Sequence, residues 1–246
     1  MSTGRTLVAC LLLATSVACG GSKNGTPDAD DTSGVKETAV RFKTSDGRTL
    51  TGHLFGSGRV GVTLGHMFPA DSTSWYGSAR RIAKAGYMAL AFNFRGYADT
   101  GGSKQIVKAP IDVAAAKRYL ERRGARDVAL VGASMGGTAS IIAAEGTDAL
   151  AVVAVSAPSR FMGLDAIGVA TRIQRPVLLM ASRNDDAAFR SLQELEGALP
   201  NPDTKVYDGD AHGTNLLDAR PEATDEIIAF LQRYAPLTRT VSTQSP

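Results

Sequence analysis

Val128-Ala129-Leu130-Val131-Gly132-Ala133-Ser134-Met135-Gly136-Gly137 begins as an unbroken apolar run and ends on a serine set between glycines. The apolar run reads as a strand buried on both faces, and the break at Gly132 followed by the serine reads as a sharp turn into a helix. In such an elbow the serine takes a strained backbone conformation, so the residues two before and two after it must be small. Gly132 and Gly136 meet that requirement. The turn exposes the Ser134 hydroxyl, and the amide of Met135 at the helix start points to the same place, where a helix N-terminus favours negative charge. In a chain with 26 glycines this spacing is a weak signal alone, and its meaning depends on what the other segments supply.

Outward from the elbow, the pattern alternates. Thr38 to Lys43 and Thr49 to Phe55, joined by Ser45-Asp46-Gly47, predict an antiparallel hairpin. Further strands are expected over 60–64, 87–92, 150–155, 176–181 and 204–207, and helices over 75–85, 111–123, 138–145, 189–199 and 221–234. Apolar strands alternating with helices predict an α/β protein: a mostly parallel, twisted sheet of about eight strands with helices on both faces. Ligands of such sheets sit beyond the carboxyl ends of the strands, where Ser134 falls. The 246 residues carry a net charge of only +3 with the charges interspersed, so no nucleic-acid surface is expected. No metal or nucleotide motif occurs, and no cofactor is expected.

The N-terminus has a different character. Arg5 precedes an apolar stretch from Leu7 to Ala18 that ends in Ser16-Val17-Ala18-Cys19-Gly20, the basic, apolar and small-residue zones of an export signal. The stretch is too short to span a bilayer comfortably. It resembles the lipobox of bacterial lipoproteins, although Ser16 stands where leucine is usual. The resemblance implies cleavage before Cys19, acylation of that cysteine and anchoring in the bacterial cell envelope. Cys10, the other cysteine, lies inside the export segment, so the remaining domain folds without a disulfide. The expected organisation is a signal over 1–18, a flexible polar tether over 19–36, one domain over 37–236 and a disordered tail over 237–246.

A serine hydroxyl is a poor nucleophile near neutral pH and needs a base, which in turn needs an orienting carboxylate. Of the three histidines, His212 lies in a polar loop between the last strand and last helix, at the edge that carries Ser134. Asp185, with Asp186 as the near alternative, follows another strand; either could instead cap the next helix. The order Ser134, Asp185, His212 is that of one fold and differs from the orders in chymotrypsin-like and subtilisin-like proteases.

These residues, the loop Asp208-Gly209-Asp210-Ala211-His212-Gly213 and the stretch Thr63-Leu64-Gly65-His66-Met67-Phe68-Pro69 resemble the α/β-hydrolase superfamily over 38–235. The resemblance implies an α/β-hydrolase fold and an oxyanion hole made by the amide of Met135 with that of Met67 or Phe68; Met67 replaces the usual glycine. His66 is expected to hold its loop, Arg95 in Phe94-Arg95-Gly96-Tyr97 to brace another, Trp75 to anchor the core and His53 to lie on the surface. The segment 157–175 is short where lidded relatives carry caps, so an open cleft lined by Phe161, Met162, Leu164 and Ile167 is expected. The expected activity is serine hydrolysis of a small-molecule ester of a short acid. The alternative is a catalytically silent, hydrolase-like binding lipoprotein of the envelope.

Overall fold

In the central strand consecutive side chains part to opposite faces. Leu130 joins one apolar cluster and Val131 the other, and neither is exposed to solvent. The same division runs through the neighbouring strands, so the sheet needs a helical layer on each side to bury both sets. The structure, a computed structural model, describes Met1 and residues 32–238. The expected signal, Cys19, the tether up to residue 31 and the tail from 239 lie outside the described residues.

From Thr32 the chain forms one compact unit. Its strands are β1 (Glu37–Lys43), β2 (Thr49–Phe55), β3 (Val60–Gly65), β4 (Met88–Phe92), β5 (Asp127–Ala133), β6 (Val152–Val155), β7 (Arg160–Phe161), β8 (Leu164–Asp165), β9 (Val177–Ser182) and β10 (Pro202–Tyr207). Its α-helices are α1 (Tyr76–Lys84), α2 (Ala109–Arg122), α3 (Met135–Glu145), α4 (Ile167–Ala170), α5 (Asp186–Ala198), α6 (Thr214–Ala219) and α7 (Glu222–Tyr234). The main sheet has eight strands in the order β1-β2-β4-β3-β5-β6-β9-β10. β1 to β2 and β2 to β4 pair antiparallel, and the other pairs are parallel. Apolar residues of α2, α3 and α5 complete one core cluster, and those of α1, α6 and α7 complete the other. The mixed sheet expected from the sequence is therefore present.

Two helices start earlier than the first apolar residue suggests, one at a side-chain cap and one at the elbow itself. α5 begins at Asp186 because the Asp185 side chain caps it, accepting from the Ala188 N–H at 3.4 Å. α3 begins at Met135, directly on the elbow. At the domain edges, Val35 packs against the core, Lys36 accepts a backbone bond from Gly56, and Leu237 lies over Gly86.

The segment 157–175 departs from the reading as cleft lining at Leu164 and Ile167. It folds into the β7–β8 hairpin and α4, which pack on α3 and α5. Pairing of Phe161 with Leu164 turns Leu164 inward, where it is buried in the core, and Ile167 packs partly buried against the same cluster. Neither is free to line a cleft, whereas Met162 at the hairpin tip is exposed.

Candidate active site

Ser134 sits where β5 runs into α3, with φ +49° and ψ −119°, a backbone conformation that costs a non-glycine residue about 1 to 3 kcal/mol. The flanking glycines are required by contact. A Cβ on Gly132 would lie 2.2 Å from the Gly136 carbonyl oxygen, and one on Gly136 would lie 2.2 Å from that of Gly65. The elbow thus presses against the end of β3 and is pinned on its other side, where the Ser134 N–H donates to the Val155 carbonyl at 2.7 Å. β4 lies on one side of β3 and β5 on the other. The strand order therefore reverses between β3 and β5, so Ser134 and the loop after β3 border the crevice at the switch point.

Two distant loops meet the serine there. The Ser134 hydroxyl donates to His212 Nε2 at 2.8 Å, and His212 Nδ1 lies 2.5 Å from Asp185 Oδ2. A carboxylate can only accept, so Nδ1 carries the imidazole proton and leaves Nε2 as acceptor for the hydroxyl. Asp185 fills both roles open in the sequence, with Oδ1 capping α5 and Oδ2 on the imidazole. Asp186 instead occupies the exposed first turn of α5. The histidine loop is tied to the tip of β9. The Ser182 hydroxyl donates to the Ala211 carbonyl at 2.6 Å, and the Asn184 N–H donates to the Gly209 carbonyl at 2.9 Å. Ser182 was missed by sequence reasoning, since a serine closing a strand carries no signal of what it holds.

The loop after β3 closes the other wall. His66 is fully buried; its Nδ1–H donates to the Met67 carbonyl at 2.9 Å and its Nε2 accepts from the Phe94 N–H at 3.2 Å. Both ring nitrogens are thereby occupied in a neutral imidazole that joins two loops, the holding role expected for it. Trp75 is also fully buried and donates from its indole N–H to the Gly65 carbonyl at 3.0 Å, an anchor of the same loop. Met67 packs against the Gly213 backbone beside His212, and Phe68 is partly exposed. His53 lies at the surface against Glu37. Tyr97 contacts the His66 ring, and its hydroxyl reaches Met135 Sδ at 3.7 Å, so the residue after Ser134 is braced by a side chain the sequence did not single out. Among the described residues no cluster of His, Cys, Asp or Glu could hold a metal ion.

Burial holds the His66 imidazole down at about 4, below its ordinary 6.5. The native state thus resists protonation that the unfolded chain accepts, so stability should fall as pH drops from 6.5 towards 4, by about 2 to 3 kcal/mol. Urea unfolding of the wild type and His66→Gln at pH 7.5 and 4.5 checks this. Identical pH dependence in the two proteins would contradict it.

No family model matches the sequence, and no curated protein sequence matches it. Solved structures do match. An esterase from Pyrococcus furiosus superposes with a TM-score of 0.72 at 20% identity, covering 85% of this chain and 96% of that one. The esterase domain of a Rhodothermus marinus protein gives 0.67 at 18% identity, covering 81% and 99%. An esterase from Rhodococcus sp. gives 0.69 at 14% identity, covering 80% and 99%. The chain has the α/β-hydrolase fold. At these identities the likeness is one of architecture. In this α/β-hydrolase scaffold the elbow, the histidine loop and the strand-end aspartate lie at the tips of β5, β10 and β9, so three segments far apart in sequence share one edge of the sheet.

Proposed function

We propose that this protein is a serine hydrolase that cleaves carboxylic esters through an acyl-enzyme. The observation that carries the reading is the continuous hydrogen-bonded line from the Ser134 hydroxyl through His212 to Asp185. In the proposed reaction His212 Nε2 takes the Ser134 proton as Oγ attacks the ester carbonyl, and the imidazolium formed is stabilised by Asp185. The tetrahedral intermediate collapses as His212 returns the proton to the leaving alkoxide. Water, deprotonated in turn by His212, then releases the acid and restores the serine. The first N–H groups of a helix have no partner within it, which leaves the Met135 amide available to the oxyanion. The second donor is Met67 or Phe68, and the geometry favours Phe68. The Met67 carbonyl is turned towards His66, so across the same trans peptide the Phe68 N–H points the opposite way.

A fluorophosphonate probe tests the assignment, because it reacts only with an activated serine. Stoichiometric labelling that is absent in Ser134→Ala is expected; no labelling of the folded wild type would refute the reading.

We further propose, from the sequence of residues 1–20, export and acylation of Cys19, which would hold the enzyme at the bacterial cell envelope. Expressed in a bacterial host with radiolabelled palmitate, the full chain should incorporate label and fractionate with membranes. Cys19→Ser should do neither, and unlabelled wild type would rule out the anchor.

A further inference from the structure

Three of the large exposed apolar side chains among the described residues lie at the mouth of the crevice. Phe68 lies on the loop after β3, Met162 at the tip of the β7–β8 hairpin and Val107 on a short turn before α2. They form one shelf. The Phe68 ring is 6.0 Å from that of Phe161, and the hairpin backs onto Val107 so closely that a Cβ on Gly163 would lie 2.6 Å from it. Contiguous exposed apolar surface of this kind marks a place where something binds.

A cation stands over one end of the shelf. The Lys104 ammonium lies 4.4 Å from the centre of the Tyr97 ring and 5.4 Å from that of Phe68. Two aromatic faces restrain a side chain that would otherwise be free, at about 0.5 to 1 kcal/mol per exposed contact. No carboxylate among the described residues pairs with it, whereas Arg160 on the β7–β8 hairpin is paired with Asp165 at 3.3 Å. The ring beneath Lys104 belongs to Phe68, whose amide is the favoured second oxyanion donor, and the other ring belongs to Tyr97, which touches Met135. The unpaired ammonium is thus one aromatic ring away from both proposed donors. Its charge is also felt at the buried His66, where it opposes protonation.

Resting on the esterase reading above, we propose that this rim selects anionic amphiphilic esters: the apolar part lies on the Phe68, Met162 and Val107 shelf, and a carboxylate or phosphate of the same substrate meets Lys104. Lys104 is then a specificity residue that takes no part in the proton transfers.

The test compares kcat/KM for nitrophenyl monoesters of a series of dicarboxylic acids with that for their neutral methyl-capped counterparts. The wild type should prefer the anionic member, and added salt should weaken the preference. Lys104→Met should lower the anionic-to-neutral ratio by about 3- to 10-fold, the range of an exposed to partly shielded charged contact, while the rate on the neutral ester stays within about two-fold. Lys104→Glu should reverse the preference. Met162→Asn and Val107→Ser should raise KM for the longer esters and leave the shortest unchanged. Repeating the ratio with phosphatidylglycerol and phosphatidylcholine vesicles distinguishes a lipid headgroup from a dissolved ester as the source of the charge. A Lys104-dependent preference in either format upholds the proposal. Its absence in both, or an equal loss on neutral and anionic esters in Lys104→Met, overturns it. Neutral esters still cleaved in a Ser134-dependent manner would leave the hydrolase reading standing in that case.

Discussion

Ser134→Ala should lower kcat for ester hydrolysis by about 10³- to 10⁶-fold and leave the fold in place. The substitution deletes one oxygen, and with it the only atom that can form the acyl bond, while the proposed oxyanion amides and the cleft remain; these sustain whatever rate is left. The strained backbone at φ +49° is as costly for alanine as for serine, so that strain is unchanged. The lost bond to His212 is worth about 1 kcal/mol at most in stability. Ser134→Gly makes the sharper comparison. It should be equally inactive and more stable than the alanine variant, because glycine adopts the left-handed conformation without penalty. Turnover and thermal unfolding measured on the three proteins check both statements. Wild-type turnover in Ser134→Ala would end the serine mechanism.

Arg95→Met should destabilise the domain by about 3 to 5 kcal/mol. Arg95 is almost wholly buried. Its Nε donates to Asp112 Oδ1 at 3.0 Å and its Nη2 to the same oxygen at 2.6 Å, while Nη1 and Nη2 donate to Asp46 at 2.7 and 3.0 Å. It thereby clamps the β1–β2 turn and the first turns of α2 onto the loop after β4, the bracing expected of it. Asp112 has no solvent exposure. Burial pushes its carboxyl up, and the Arg95 guanidinium pulls against that; the bond to Arg95 holds the Asp46 carboxyl well below the usual range. Without the guanidinium, Asp112 keeps the backbone N–H of residue 95 at 3.0 Å but must be buried without a counter-charge or take up a proton on folding. Uptake stabilises the folded form at low pH and fails as pH rises, so the deficit should be larger at pH 8 than at pH 5. Arg95→Met with Asp112→Asn should recover part of the loss, since the uncompensated charge is gone. Denaturant unfolding at both pH values measures this, and a pH-independent deficit below about 1 kcal/mol would refute the buried-charge account.

The alternation of apolar strands with helical periodicity, and the glycine-flanked Ser134, were legible in the chain as it stands. Both are local: a strand that is apolar at every position has to be covered on both faces, and an elbow that presses on its neighbours tolerates no side chain two residues either side. The order of Ser134, Asp185 and His212 was legible for the same reason, since each falls at a recognisable strand end. Tertiary structure alone separated Asp185 from Asp186. Adjacent carboxylates have the same composition and nearly the same position, and which one meets the imidazole depends on where α5 begins and on a loop 27 residues further on. It alone turned Leu164 into the core through the β7–β8 pairing, and it alone set Lys104 over Phe68 and Tyr97. Sequence periodicity reports which face of an element is buried, but the direction of a side chain in a loop is set by the partners that surround it, and those come from elsewhere in the chain.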